Sequence, residues 1–176
     1  MHAKKHFWLV GILTGIFSGM IVFLAQLFLF YLSLDSFSII YILIYLLPLI
    51  PMFYAAGRLR ERYGSGVLYF NQAYGLALLT GFISALVMSV MVYYVYTYLF
   101  VPALQQRAAQ LQASLIGNGQ GLAFQMMKER KQLITKLLSP FSLSVYYFIA
   151  QLVLLPLYAF IIAIFARRRL RDITDI

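Results

Sequence analysis

The chain has 176 residues, of which 63% are hydrophobic and 11% charged, and its formal net charge is +9. Soluble domains carry roughly 25% charged residues, and a short chain has much surface for its volume, so a water-facing globular domain is excluded. The sequence holds no cysteine, which excludes structural disulfides, thiolate zinc sites, iron–sulfur clusters and cysteine nucleophiles.

The apolar residues fall in four long blocks separated by charged segments. Long uncharged blocks are the mark of bilayer spans. The expected fold is therefore all-α: one polytopic membrane domain over residues 1–176 with four transmembrane helices. The first span is expected at about Phe7 to Leu32 and contains no charge. Its start, Met1-His2-Ala3-Lys4-Lys5-His6, has the flavour of a signal peptide. The apolar run is too long for one, and no small-x-small cleavage site follows, so it reads as an uncleaved span.

A short link over 33–38 carries Asp35 as its only charge. The second span is expected at about Phe37 to Ala56, with Pro48 and Pro51 loosening or kinking it. The basic, glycine-rich stretch Gly57 to Gly66 reads as a turn at the membrane surface, followed by an interfacial segment over 67–72. The third span runs from about Ala73 to Val101 and ends in Tyr93, Tyr94, Tyr96 and Tyr98, residues that favour the headgroup level.

The character changes between Ala103 and Pro140. Leu104, Ala108, Leu111 and Leu115 share a helical face before Gly117-Asn118-Gly119-Gln120-Gly121. Met126, Met127, Leu133, Ile134, Leu137 and Leu138 recur near helical spacing after it, with Lys128, Glu129, Arg130, Lys131 and Lys136 between. This pattern predicts a short amphipathic helical pair that lies on the membrane or clasps a partner. The fourth span covers about Phe141 to Ala166, with Pro156 inside, and ends in Arg167-Arg168-Arg169-Leu170-Arg171.

Four spans put both ends of the sequence on one side. Nine basic residues lie there (Lys4, Lys5, Arg58, Arg60, Arg62, Arg167, Arg168, Arg169 and Arg171), against five between spans three and four. Basic loops stay in the cytoplasm, so both termini are expected there.

The clearest motif is Gly11-x-x-x-Gly15-x-x-x-Gly19, one face of span one, with a weaker counterpart in Gly81, Ala85 and Ser89 of span three. Small residues let helices approach where lipid supplies no hydrophobic drive. The face serves either packing within one chain or docking of a second copy or partner protein. Arg58, Arg60 and Arg62, and likewise Arg167, Arg168 and Arg169, read first as a topology signal and otherwise as contacts for anionic lipid or a partner's acidic patch. Nucleic-acid binding is not expected, because no basic run belongs to a soluble module.

No ionisable residue falls within the expected spans, so no proton or ion path is suggested. Gln26, Thr80, Ser84 and Gln151 are the midplane polar groups; they read first as structural glue, with Gln26 and Gln151 hydrogen-bonding across helices, and otherwise as a substrate-binding set. The five acids Asp35, Glu61, Glu129, Asp172 and Asp175 are scattered over links and tail. No catalytic residue, cofactor site or metal site is expected; His2 and His6, one helical turn apart, are too few for a firm metal site.

The stretch Gly66-Val67-Leu68-Tyr69-Phe70-Asn71-Gln72-Ala73-Tyr74, the tyrosine-rich end of span three, the Gln/Met-rich segment after it, Ser139-Pro140-Phe141 and the basic tail together resemble a bacterial membrane family, the domain of unknown function 4199. Phe70, Gln72 and Ala73 are the sharpest match, and the resemblance covers nearly the whole chain. It implies a four-span inner-membrane protein without assigned catalytic residues that accompanies polyprenyl-phosphate glycosyltransferases. The expected role is a non-enzymatic accessory or scaffold subunit of an envelope complex. A small oligomeric transporter or lipid-handling protein is the alternative.

Overall fold

Helix boundaries follow from where capping groups and prolines fall along these apolar blocks. The computed structural model describes residues 2–31, 45–63, 67–102, 105–106, 109–110, 113 and 132–166, and they form helices with no strand among them. Helix α1 is His2–Tyr31, α2 is Leu49–Tyr63, α3 is Phe70–Tyr98 and α4 is Pro140–Ala166. A short helical stretch over 132–137 precedes α4. Three segments are long and apolar enough to cross a membrane: His6–Leu29, Phe70–Tyr98 and Pro140–Ala166. They match the first, third and fourth expected spans to within a few residues. Of the second, residues 37–44 lie outside the described residues, as does most of the expected amphipathic pair.

Each observed start has a local cause. At α4, the Ser139 hydroxyl accepts the Ser142 N–H at 3.2 Å and Pro140 takes the first helical position. That position needs no N–H donor, and proline's fixed φ suits it. At α3, the Gln72 side chain reaches back to accept the Tyr69 N–H at 3.4 Å, half of a capping box. The helix therefore opens at Phe70 rather than Ala73, and the segment expected to lie flat in the interface is partly its first turn.

The turn expected from Gly57 is not where the chain turns: α2 runs through Gly57 to Tyr63. Met52, Ala55, Ala56 and Leu59, at helical spacing, are all 7% exposed or less. Burying that stripe outweighs the roughly 1 kcal/mol that glycine costs within a helix. Pro51 sits in the first turn of α2, where its missing N–H removes no helical bond. The break instead lies at Leu47 and Pro48, a turn between the helical Tyr45-Leu46 and α2. There the Tyr158 hydroxyl of α4 donates to the Tyr45 carbonyl at 2.7 Å, the kind of support from a neighbouring helix that permits proline within a membrane bundle. Helix α4 continues through Pro156.

The chain divides into two compact units, Met1–Met88 with Phe148–Ile176, and Ser89–Tyr147. In the first, Met52, Ala55, Leu76, Ala77, Leu155 and Ile162 form the centre of a core drawn from all four helices, together with Val10 of α1. Helix α1 lies against α3 with Gly11 beside Leu79, Gly15 beside Ile83 and Gly19 beside Val87. Residue numbers rise together along both helices, so α1 and α3 run parallel. Helix α4 runs antiparallel to α3, with Phe70 beside Phe160, Gly81 beside Leu155 and Met88 beside Gln151. The start of α3 and the end of α4 consequently meet at one end of this unit. The start of α1 lies there too, with Phe7 against Gly75.

The surface of this unit is not a soluble protein's, for it is as apolar as the core. Ser18, Thr80 and Ser84 are 0% exposed, whereas Phe17 is 65%, Val153 71% and Phe165 71% exposed. Contiguous apolar faces of this extent belong in lipid. In the second unit, Tyr93 and Tyr94 meet edge to face and Tyr94 stacks on Tyr98, all three exposed.

The Tyr158 bond predicts that Tyr158→Phe lowers stability by about 1 kcal/mol, as loss of one net hydrogen bond should. Thermal unfolding of the detergent-solubilised chain measures it.

Candidate functional site

Three features could carry function: the glycine face, the polar interior and the basic helix ends. The glycine face is taken up within the chain. An ideal Cβ at Gly15 would stand 2.8 Å from the Thr80 carbonyl oxygen, and one at Gly19 would stand 2.7 Å from that of Ser84. These are backbone atoms, which cannot yield without the helices separating. At Gly11 the nearest atom is the Leu79 Cδ2, the movable end of a side chain. Gly81 is crowded by Leu155 and by Met52, so it seats α3 against both α4 and α2. Ala85 is buried at 1% exposure. Ser89, in the second unit, donates its hydroxyl hydrogen to the Ser144 carbonyl at 3.0 Å.

Polar groups occupy the same seams. The Ser84 hydroxyl donates to that of Ser18 at 3.0 Å, joining α3 to α1 between Gly15 and Gly19. Gln151 donates from Nε2 to the Met88 sulfur at 2.9 Å, joining α4 to α3. Thr14 turns its hydroxyl back to the Val10 carbonyl of its own helix. Gln26 Nε2 and Thr80 Oγ1 are buried without a hydrogen-bond partner among the described residues. Of the two glutamines expected to bridge helices, Gln151 donates across a helix seam and Gln26 Nε2 meets no acceptor among the described residues. The Ser18–Ser84 pair was missed as a pair; its signal was a serine beside each of two small-residue stripes.

The basic residues of α2 are not equivalent. Arg60, 23% exposed, pairs with the exposed Glu61 at 3.2 Å; pairs open to solvent contribute roughly 0–1 kcal/mol. Arg62 is exposed. Arg58 is half-buried, and its Nε is sealed from solvent without a hydrogen-bond partner among the described residues. Lys4 and Lys5 lie in the first turns of α1. Arg167, Arg168 and Arg169 lie outside the described residues.

The second unit contains a cavity of about 270 Å³ lined by Tyr96, Val101, Gln105, Leu138 and Pro140, among others. Its lining is mostly apolar. The Met126-Met127 pair lies outside the described residues. Among the described residues no group of His, Asp or Glu could hold a metal ion.

The backbone contacts rank the glycines. Gly15→Ala and Gly19→Ala should each destabilise by about 1–3 kcal/mol through overpacking, and Gly11→Ala by less. Thermal unfolding in detergent measures the order, and equal effects at all three positions would contradict it.

A search of curated proteins and a search of solved structures each gave no match. The sequence matches the family described as protein of unknown function (DUF4199) over residues 9–168. The residues that carried the resemblance do structural work in this chain. Phe70 packs on Tyr74 and Phe160, Gln72 caps α3, and Ala73 is fully buried. With the match spanning nearly the entire sequence, the chain belongs to the DUF4199 family.

Proposed function

We propose that this chain is a non-enzymatic subunit of the bacterial inner membrane that crosses it four times and presents a basic cytoplasmic end to a partner. The observation that carries the reading is the gathering of helix ends in the first unit. The start of α1, with Lys4 and Lys5, lies at the same end as the start of α3 and the end of α4, which leads into Arg167–Arg171. Arg58, Arg60 and Arg62 close α2 a few residues before α3 begins.

The parallel run of α1 and α3 supports a fourth crossing. Phe7 lies level with Gly75. At ~1.5 Å per residue, the chain between Tyr31 and Phe70 must therefore return roughly 40–45 Å, a full bilayer thickness with its headgroups. Helix α2 supplies 15 residues of that return. The charge asymmetry then sets the sidedness. The partner class placed first is an envelope enzyme acting on a polyprenyl-phosphate carrier, which follows from the family resemblance alone. Contact with a protein partner or a second copy would use the lipid-facing apolar surface as well as the basic end.

A lipid-handling protein is the second reading. It is favoured by an outward face of α2 on which Ile50 and Tyr54, 69% and 59% exposed, lead up to the basic residues.

Two experiments test this. The chain has no cysteine, so single cysteines report topology cleanly. Cysteines at Ser33 and Gln112 should label from the periplasm, and those at Gly64 and Ile173 from the cytoplasm. Label on opposite faces at Gly64 and Ile173 would remove the four-span arrangement. Affinity purification in mild detergent should bring down a stoichiometric partner; a chain that always emerges alone and monomeric would overturn the subunit reading.

A further inference from the structure

The outward face of α2 carries an unusual sequence of environments. Residues 50, 54, 58 and 62 recur every four positions and so form one stripe along the helix. Ile50 and Tyr54 are among the more exposed large apolar residues, at 69% and 59%. Arg58 follows, half-buried, and then Arg62, exposed. The stripe thus passes from apolar surface to a partly withdrawn guanidinium to an exposed arginine within about three turns.

Beside it, Gly57 leaves a notch. A Cβ placed there would meet nothing within 4 Å among the described residues. No contact among the described residues calls for glycine here, unlike Gly15 or Gly19. A glycine in mid-helix costs roughly 1 kcal/mol against alanine, and the open space leaves room for an occupant from outside these helices.

Arg58 supplies the second observation. Its Nε is cut off from water and has no hydrogen-bond partner among the described residues. The acid nearest in the chain, Glu61, pairs with Arg60. A guanidinium withdrawn from water interacts strongly with any counter-charge brought to it, because the local dielectric is low. The planar fork suits a phosphate in particular.

We propose that the Gly57–Arg58 face of α2 binds one phospholipid of the surrounding leaflet. An anionic headgroup phosphate lies on the Arg58 fork with Arg62 beside it. The glycerol region fills the notch at Gly57, and an acyl chain runs along Tyr54 and Ile50. The chemistry of the stripe selects a lipid rather than a free phosphate, since the apolar half has no use for an inorganic ion. The site goes beyond the subunit role and does not depend on any protein partner.

Native mass spectrometry of the full chain in detergent tests it, with dioleoyl phosphatidylglycerol as probe, dioleoyl phosphatidylcholine as comparison and millimolar inorganic phosphate as competitor. Loss of one charge-assisted contact corresponds to about a tenfold weaker affinity, so Arg58→Gln should weaken phosphatidylglycerol binding about tenfold. Arg60→Gln, which removes the Glu61 pair, should change it less than twofold. Gly57→Leu keeps every charge, starts from a Cβ that meets nothing within 4 Å among the described residues, and should weaken binding similarly without lowering the thermal unfolding midpoint, since leucine suits a helix better than glycine. The proposal is overturned if phosphatidylglycerol binds Gly57→Leu and Arg58→Gln as it binds the original chain. It is equally overturned if phosphatidylcholine binds as tightly, or if inorganic phosphate displaces the lipid. Should Arg58→Gln fail to fold, the Gly57→Leu result decides. Binding that responds as expected in a chain that purifies without partner would retain this site while removing the subunit reading.

Discussion

The close approach of α1 to α3 at Gly15 and Gly19 is the constraint from which the rest of the bundle follows. In lipid, two apolar helices gain nothing from hydrophobic burial against each other, because acyl chains offer the same surroundings. Association depends on dispersion contacts that a single methyl can prevent. Here the place of that methyl is taken by the carbonyl oxygens of Thr80 and Ser84, with Ile83 and Val87 on either side. The contact also sets direction: α1 and α3 run parallel, and the chain between them must return. The Ser18–Ser84 hydrogen bond sits between the two glycines, where the helices are closest.

The exterior of the bundle is as apolar as its core. The few hydroxyl and amide groups are buried in the helix seams, where Ser84 meets Ser18, Thr14 a backbone carbonyl and Gln151 the Met88 sulfur, while phenylalanine, valine and leucine face outward. Such bonds contribute modestly, on the order of 1 kcal/mol each, because the separated helices would also find partners in the membrane. Their larger effect is to specify rotation and depth. Gln151 meets Met88 in only one register of α4 on α3. Tyr158 meets the Tyr45 carbonyl beside the proline break in the same register.

The charged residues divide by burial. The Arg60–Glu61 pair is a surface contact of small consequence. Arg58 is different because part of its guanidinium is already withdrawn from water. Charge counts along the sequence treat Arg58, Arg60 and Arg62 alike. The helix that runs through Gly57 places them at different angles and separates their environments.

The length and polarity of the apolar blocks were enough to determined helices at His6–Leu29, Phe70–Tyr98 and Pro140–Ala166, because hydropathy and length are properties of the chain itself. The Ser-Pro start of α4 and the small-residue stripes were legible for the same reason. Tertiary structure decided what local pattern could not. Gly57 reads as a turn by composition, yet it stays helical because Met52, Ala55, Ala56 and Leu59 are buried by other helices. The glycine stripe announced a close contact without naming its partner, since any helix could fill it; folding assigned it to α3. The sealing of the Arg58 Nε from water was likewise a matter of how the helices packed, and that information lies in contacts between residues far apart in the chain.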